Sequence, residues 1–166
     1  CGCDVLHLKE HTSNGTRWRR GERRTVHPKT MDAEDGPCLA TVIPVYNEAE
    51  HIEACLLSLL HQTFPSSKHM ILVVDGHSTD NTVELVNNII QRHQGAEWPQ
   101  VQLLANPERS VAHARNLALQ TLPTSVAYLI EMIGHATVES NHLEQRMKAW
   151  DCLLYTSPSP RDMTGS

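Results

Sequence analysis

A three-layer α/β fold built on a parallel sheet is predicted by three features of the sequence. Four short apolar runs lack the polar alternation of a half-exposed strand, which marks burial on both faces. Helical stretches long enough to act as crossovers separate them, and the order β-α-β-α-β-α-β implies parallel strands with right-handed connections. Every run also ends in a polar cluster, and in open α/β sheets ligands bind beyond the carboxyl ends of the strands.

The first strand is Leu39-Ala40-Thr41-Val42-Ile43-Pro44-Val45. Asn47, with Glu50 three residues on, reads as a capping box for a helix. That helix places Ile52, Leu56, Leu59 and Leu60 on one face, with Cys55 beside them as a small core residue. Met70 to Val74 form the second strand, stopping at Asp75-Gly76. Asp80 is expected to cap the next helix, whose stripe is Val83, Val86 and Ile90 with Leu85 and Ile89. Val101 to Ala105 make the third strand, and Ser110 caps a helix carrying Val111, Ala114, Leu117 and Ala118. The fourth strand runs from Val126 toward Glu131 and Met132.

Bulk properties narrow the function. The chain has 166 residues, one domain of ordinary size. A net charge of -5 gives no reason to expect nucleic acid or an anionic membrane as partner. No apolar run approaches the roughly 18 residues of a membrane span, and the five cysteines have no spacing that suggests a zinc site or a disulfide staple, so a cytoplasmic setting is expected. No Gly-x-Gly-x-x-Gly follows the first strand and no P-loop is present, which argues against a dehydrogenase or an NTPase.

Both ends look foreign to this pattern. Residues 1–30 lack apolar periodicity and carry a basic knot at Arg17, Arg19, Arg20, Arg23 and Arg24, so a disordered or non-native leader is expected, with Met31 as the natural start. Cys152 to Asp162 resemble one reading frame of a sequencing-library adapter, and residues 152–166 are expected to be an adapter-derived tail. Residues 31–151 are then the authentic segment.

Two stretches carry a family resemblance. Thr41-Val42-Ile43-Pro44-Val45-Tyr46-Asn47-Glu48, a leucine-rich helix, and Val73-Val74-Asp75-Gly76-His77-Ser78-Thr79-Asp80-Asn81-Thr82 resemble the opening of family 2 glycosyltransferases. The resemblance spans roughly residues 39–150. It implies a Rossmann-like GT-A half-domain for a nucleotide-diphospho-sugar, with sheet order 3-2-1-4 and crossover helices. It also implies that the Pro44 backbone and the side chains of Tyr46 and Glu48 line the nucleotide pocket. Asp75 would accept from a uracil N3–H or a guanine edge, as suits a fixed carboxylate. On the residues alone, Asp75 and Asp80 are also good turn and cap residues.

Asn106-Pro107-Glu108-Arg109 with Ala114-Arg115-Asn116 resembles the family's third block. Arg109 is expected at the nucleotide or its diphosphate; Arg115 has the alternative of an ion pair on the helix surface. The fourth block departs from the family, whose strand ends in an Asp-x-Asp-like motif that holds a divalent cation. Here the stretch is Ile133-Gly134-His135-Ala136, and Ile133 cannot ligate. Glu131 and His135 would project to one side of an extended segment and are the candidate ligands for Mg²⁺ or Mn²⁺, although both ions prefer oxygen. His135 has the alternative of capping a turn.

The resemblance therefore implies the donor-binding half of an enzyme that moves a sugar, with inversion, from a UDP- or GDP-sugar to a hydroxyl acceptor. Its catalytic base is expected beyond residue 151, so the truncated chain should be inactive alone, and any membrane association would come through regions outside it. The rival readings are a nucleotide-sugar-binding pseudoenzyme and a non-catalytic α/β interaction domain.

Overall fold

The computed structural model describes residues 5–7 and 36–156, with side chains for 36–150. Strand β1 is Val5–His7, β2 Leu39–Val45, β3 His69–Asp75, β4 Gln100–Ala105 and β5 Tyr128–Glu131. The helices are α1 Ile52–Leu60, α2 Thr82–Arg92, α3 Val111–Thr121 and α4 His142–Thr156. They form one sheet in the order β1-β5-β2-β3-β4. The four later strands are parallel and stand in the expected order 3-2-1-4.

One short strand, β1, lies within residues 1–30. Val5–His7 pairs antiparallel with β5, Leu6 lying opposite Leu129. A β5 edge would otherwise expose a row of unpaired backbone groups, and any short extended segment can satisfy them. The rest of that leader lies outside the described residues. At the other end, α4 continues as helix into the segment read as an adapter tail, as far as Thr156. This helix was not expected, although Leu143, Met147 and Trp150 follow a helical spacing and the first two are buried.

Two apolar layers sandwich the sheet. On one face Ile43, Val45, Ile71 and Val73 pack with Leu56 and Leu59 of α1, Val86 and Ile89 of α2, and Leu143 of α4. On the other, Val42, Leu72 and Val74 meet Ala114 and Ala118 of α3. Both central strands alternate between the layers, which is why their runs are continuously apolar. Cys55 is fully buried, and burial, with a smaller effect of Glu48, pushes its thiol up to about 12. It is a core residue, as expected, and no nucleophile. Val111, by contrast, is half-exposed and not part of the α3 stripe.

The buried face also holds one polar pair, Thr41 Oγ1 and His69 Nε2, 2.9 Å apart. His69 Nδ1 has no hydrogen-bond partner among the described residues. Burial pushes this imidazole down to about 3.

Pro44 sits in a central strand, where a missing N–H ordinarily breaks a ladder. Successive residues of β2 direct their backbone groups alternately to the two neighbours. Val45 O accepts from Gly76 N on the β3 side at 2.8 Å, and Val42 O accepts from Met132 N on the β5 side at 2.9 Å. Pro44 shares the side of Val42, and β5 has ended at Glu131 by that level. The absent donor thus falls where the sheet opens between β2 and β5, at the point where strand order reverses.

Candidate active site

The loops that follow β2, β3 and β4 gather at the carboxyl edge of the sheet, and each contains one left-handed residue. Asn47, His77 and Arg109 have φ of 53, 60 and 54°, and they are the non-glycine residues with positive φ among those described. Asn and His tolerate this conformation, whereas Arg109 is held in it at a cost of order 1–3 kcal/mol. Strain of this kind persists where surrounding contacts over-determine the backbone, and here they do.

The first two loops are laced together. Asn47 N donates to Ser78 Oγ at 2.9 Å, and Thr79 N donates to Asn47 Oδ1 at 2.8 Å. Glu48 N donates to Thr82 Oγ1 and Ala49 N to Asp80 Oδ2, at 2.9 and 3.1 Å. These bonds overturn the expected capping box. Asn47 turns toward the neighbouring loop, and α1 begins only at Ile52, after His51, with no side-chain cap. Asp80 was expected to cap α2, but the N-cap is Asn81, without a side-chain cap bond; Asp80 sits one position before it, its Oδ1 accepting from Thr82 N at 3.0 Å and from Thr82 Oγ1 at 2.5 Å. The Thr82 hydroxyl is the first of the bonds that hold the Asp80 carboxyl below its usual range.

Of the expected pocket residues, Tyr46, Asp75 and Arg109 lie at the ends of three adjacent parallel strands. Tyr46 is half-exposed, and the Arg109 guanidinium carbon stands 5.6 Å from its ring centre, a cation–π distance. No carboxylate among the described residues pairs with Arg109. Asp75 is nearly buried, and both its oxygens receive Ser78, Oδ1 taking the hydroxyl at 2.5 Å. The carboxylate is thereby fixed, with its remaining lone pairs free to accept. Gly76 belongs to the same corner: a Cβ there would lie 3.3 Å from Val45 O and 3.7 Å from Tyr46 Cβ.

The expected pairing of Glu131 with His135 does not form. Glu131 is gripped by the Arg115 guanidinium through both oxygens. His135 donates from Nδ1 to Glu48 Oε1 at 3.0 Å, beside the ring of His51. The reasoning assumed that the chain stays extended past Glu131. Instead β5 stops there and residues 133–136 make a turn closed by Ala136 N to Ile133 O. Gly134 fits closely at this turn: a Cβ would lie 3.0 Å from both Glu48 Cγ and Val45 Cγ1, so those side chains would have to give way. Glu48 therefore faces His135 and not an open pocket, and Arg115 takes its surface-ion-pair alternative.

These engagements bear on the divalent cation. Ile133 is exposed where an acidic ligand would be needed, Glu131 is neutralised by Arg115, and no three His, Cys, Asp or Glu side chains among the described residues could share an ion. The side chains present here do not fit Mg²⁺ or Mn²⁺. Sequence reasoning also missed the support behind Arg109, namely Asn106 and His113; an Asn-Pro turn marks the first, and nothing local marks the second.

Fold and site together define an α/β protein whose polar loops gather at the carboxyl edge of a parallel sheet, where ligands bind in open α/β folds. Residues 41–152 match the model of glycosyl transferase family 2, and the chain belongs to that family. It is 34% identical over 110 residues to glycosyltransferase AglE of Haloferax volcanii, covering 66% of this chain and 34% of that protein. The mannosyltransferase PcManGT of Pyrobaculum calidifontis, solved with GDP-Man and Mn²⁺, superposes with a TM-score of 0.60 at 26% identity, covering 74% of this chain and 33% of that one. S. aureus TarS, solved with UDP-GlcNAc, shares the fold at a TM-score of 0.59 and 22% identity, over 68% and 31% of the two chains. The chain spans about a third of the length of such relatives, and it carries a family 2 glycosyltransferase domain of the GT-A type.

Proposed function

We propose that the loops at this edge bind the nucleotide of a UDP- or GDP-sugar, and that the protein to which this domain belongs transfers the sugar with inversion to a hydroxyl acceptor on the cytoplasmic side. The observation that carries this reading is the convergence of Tyr46, Asp75 and Arg109 at the ends of β2, β3 and β4. Asp75, fixed by Ser78, accepts an N–H from the base. Tyr46 offers a ring for the base or ribose to lie against. Arg109, with no carboxylate partner among the described residues, supplies positive charge for the diphosphate, whose oxygens gain charge as the sugar departs. The acceptor proton passes to a base from outside the described residues.

A second reading is binding without transfer. The exposed Ile133 and the Glu131–Arg115 pair favour it, since both remove acidic ligands from the place where the leaving diphosphate would need a cation.

Titration calorimetry with UDP and GDP tests the shared part of both readings. The wild type is expected to bind one of them weakly and to transfer no sugar. Asp75→Ala is expected to cost about 1.5–3 kcal/mol of that binding, the worth of a hydrogen bond to a charged group. Ser78→Ala is the control for loop geometry. It removes the hydroxyl bond but keeps the carboxylate, and should lose less. A folded wild type that ignores both nucleotides would sink the assignment, and equal losses in the two variants would return Asp75 to a turn residue. Sugar turnover by the uninterrupted protein separates the first reading from the second.

A further inference from the structure

Behind Arg109 lies a closed network. Asn106 is almost fully buried at the end of β4, its backbone N donating to Asp75 O at 2.7 Å. Its side chain is used at both ends: Nδ2 donates to Ser110 O at 2.9 Å, and Oδ1 accepts from His113 Nδ1 at 2.7 Å. With Oδ1 an acceptor, His113 must carry its proton on Nδ1. The other ring nitrogen, Nε2, faces Glu108 Oε1 at 3.6 Å. Arg109 N closes the turn onto Asn106 O at 3.2 Å. One imidazole on the first turn of α3 thus touches the residues on which the left-handed Arg109 turn is built. It holds Asn106 firmly and Glu108 loosely.

The strain in that turn needs such a brace. Arg109 is held at φ 54° with its guanidinium over Tyr46, and an arginine released from the left-handed region would swing its side chain away from the ring. We propose that His113 is a positioning residue of the donor site: it holds the 106–110 turn so that Arg109 stands where the nucleotide's diphosphate would lie. The inference rests on the donor-site reading above. His113 itself touches no ligand, since its ring nitrogens face Asn106 and Glu108.

Calorimetry on the full chain with a nucleoside diphosphate (UDP or GDP, whichever the wild type binds) and its parent nucleoside separates positioning from general support. His113→Ala is expected to weaken diphosphate binding about 10-fold while changing nucleoside binding less than about 2-fold, the scale of one lost hydrogen bond acting through a charged contact. His113→Asn places an amide N–H where Nδ1 stood and should restore diphosphate affinity to within about 3-fold of wild type. His113→Gln carries its donor one bond further out and should bind less well than the asparagine variant, which keeps the comparison decisive should the alanine variant not fold. Equal weakening of nucleoside and diphosphate, unchanged diphosphate binding in the alanine variant, or no difference between asparagine and glutamine would each overturn the proposal. A folded wild type that binds neither nucleotide removes the donor-site reading, and this inference with it.

Discussion

Ile43→Ala is expected to lower the unfolding free energy by about 2–5 kcal/mol, a large fraction of the roughly 5–15 kcal/mol that holds an ordinary domain together. Ile43 has no exposed surface and lies mid-way along β2, opposite Val73 of β3 and under α1. Removing three carbons there forfeits their transfer energy. It also leaves a cavity that neighbours on two strands and a helix cannot collapse to fill. Urea denaturation followed by circular dichroism reads the change as a lower midpoint at constant slope. Val111→Ala, at a half-exposed position, is the matched control and should stay within about 0.5 kcal/mol. A loss under 1 kcal/mol at Ile43 would mean that β2 is not the packed centre of the sheet.

Acidification is expected to destabilise the fold through His69 before most carboxylates titrate. Burial lowers the folded imidazole to about 3, whereas the ordinary value is 6.5. The unfolded chain therefore binds this proton first, and stability is complete above the unfolded value. It falls as pH drops from about 6.5 toward 3, with a slope approaching about 1.4 kcal/mol per pH unit from this group alone. His69→Gln keeps a polar partner for Thr41 but cannot charge, so its urea midpoint should depend less on pH across that window. Parallel curves for the two proteins would show that His69 takes up its proton without unfolding.

The strands were legible because their burial is local information. A run such as Leu39 to Val45 is apolar at every position only if both faces are covered, and β2 matches its expected bounds to the residue. The site was legible in part. Tyr46, Asp75 and Arg109 follow strand ends, and strand ends share one edge in a parallel sheet. What failed depended on distant partners. Asn47 and Glu50 satisfy the capping-box pattern, yet bonds from Ser78 and Thr79 draw Asn47 elsewhere. Glu131 and His135 obey the two-residue period of a strand that stops before it can align them, and Arg115 on α3 claims the first. His113 contacts residues five and seven positions back along the chain, which no local pattern advertises. Val5–His7 is too short to show any periodicity at all.

In the donor site we propose, Pro44 limits what the backbone of β2 offers a ligand. At the opening between β2 and β5 an ordinary residue would present both an N–H and a C=O; proline presents only its carbonyl oxygen. The Asp75 carboxylate adds acceptors. On the donor-site reading, the Pro44 carbonyl and the Asp75 carboxylate offer acceptors, while the positive charge is Arg109, held over Tyr46. Such acceptors attract a base edge that carries an imide or lactam N–H and repel one that presents a bare ring-nitrogen lone pair. They repel phosphate as well, which leaves Arg109 as the place for a diphosphate. In the donor site we propose, the ring that interrupts β2 and the Asp75 carboxylate together favour a nucleotide with its base inward and its phosphates outward, toward Arg109.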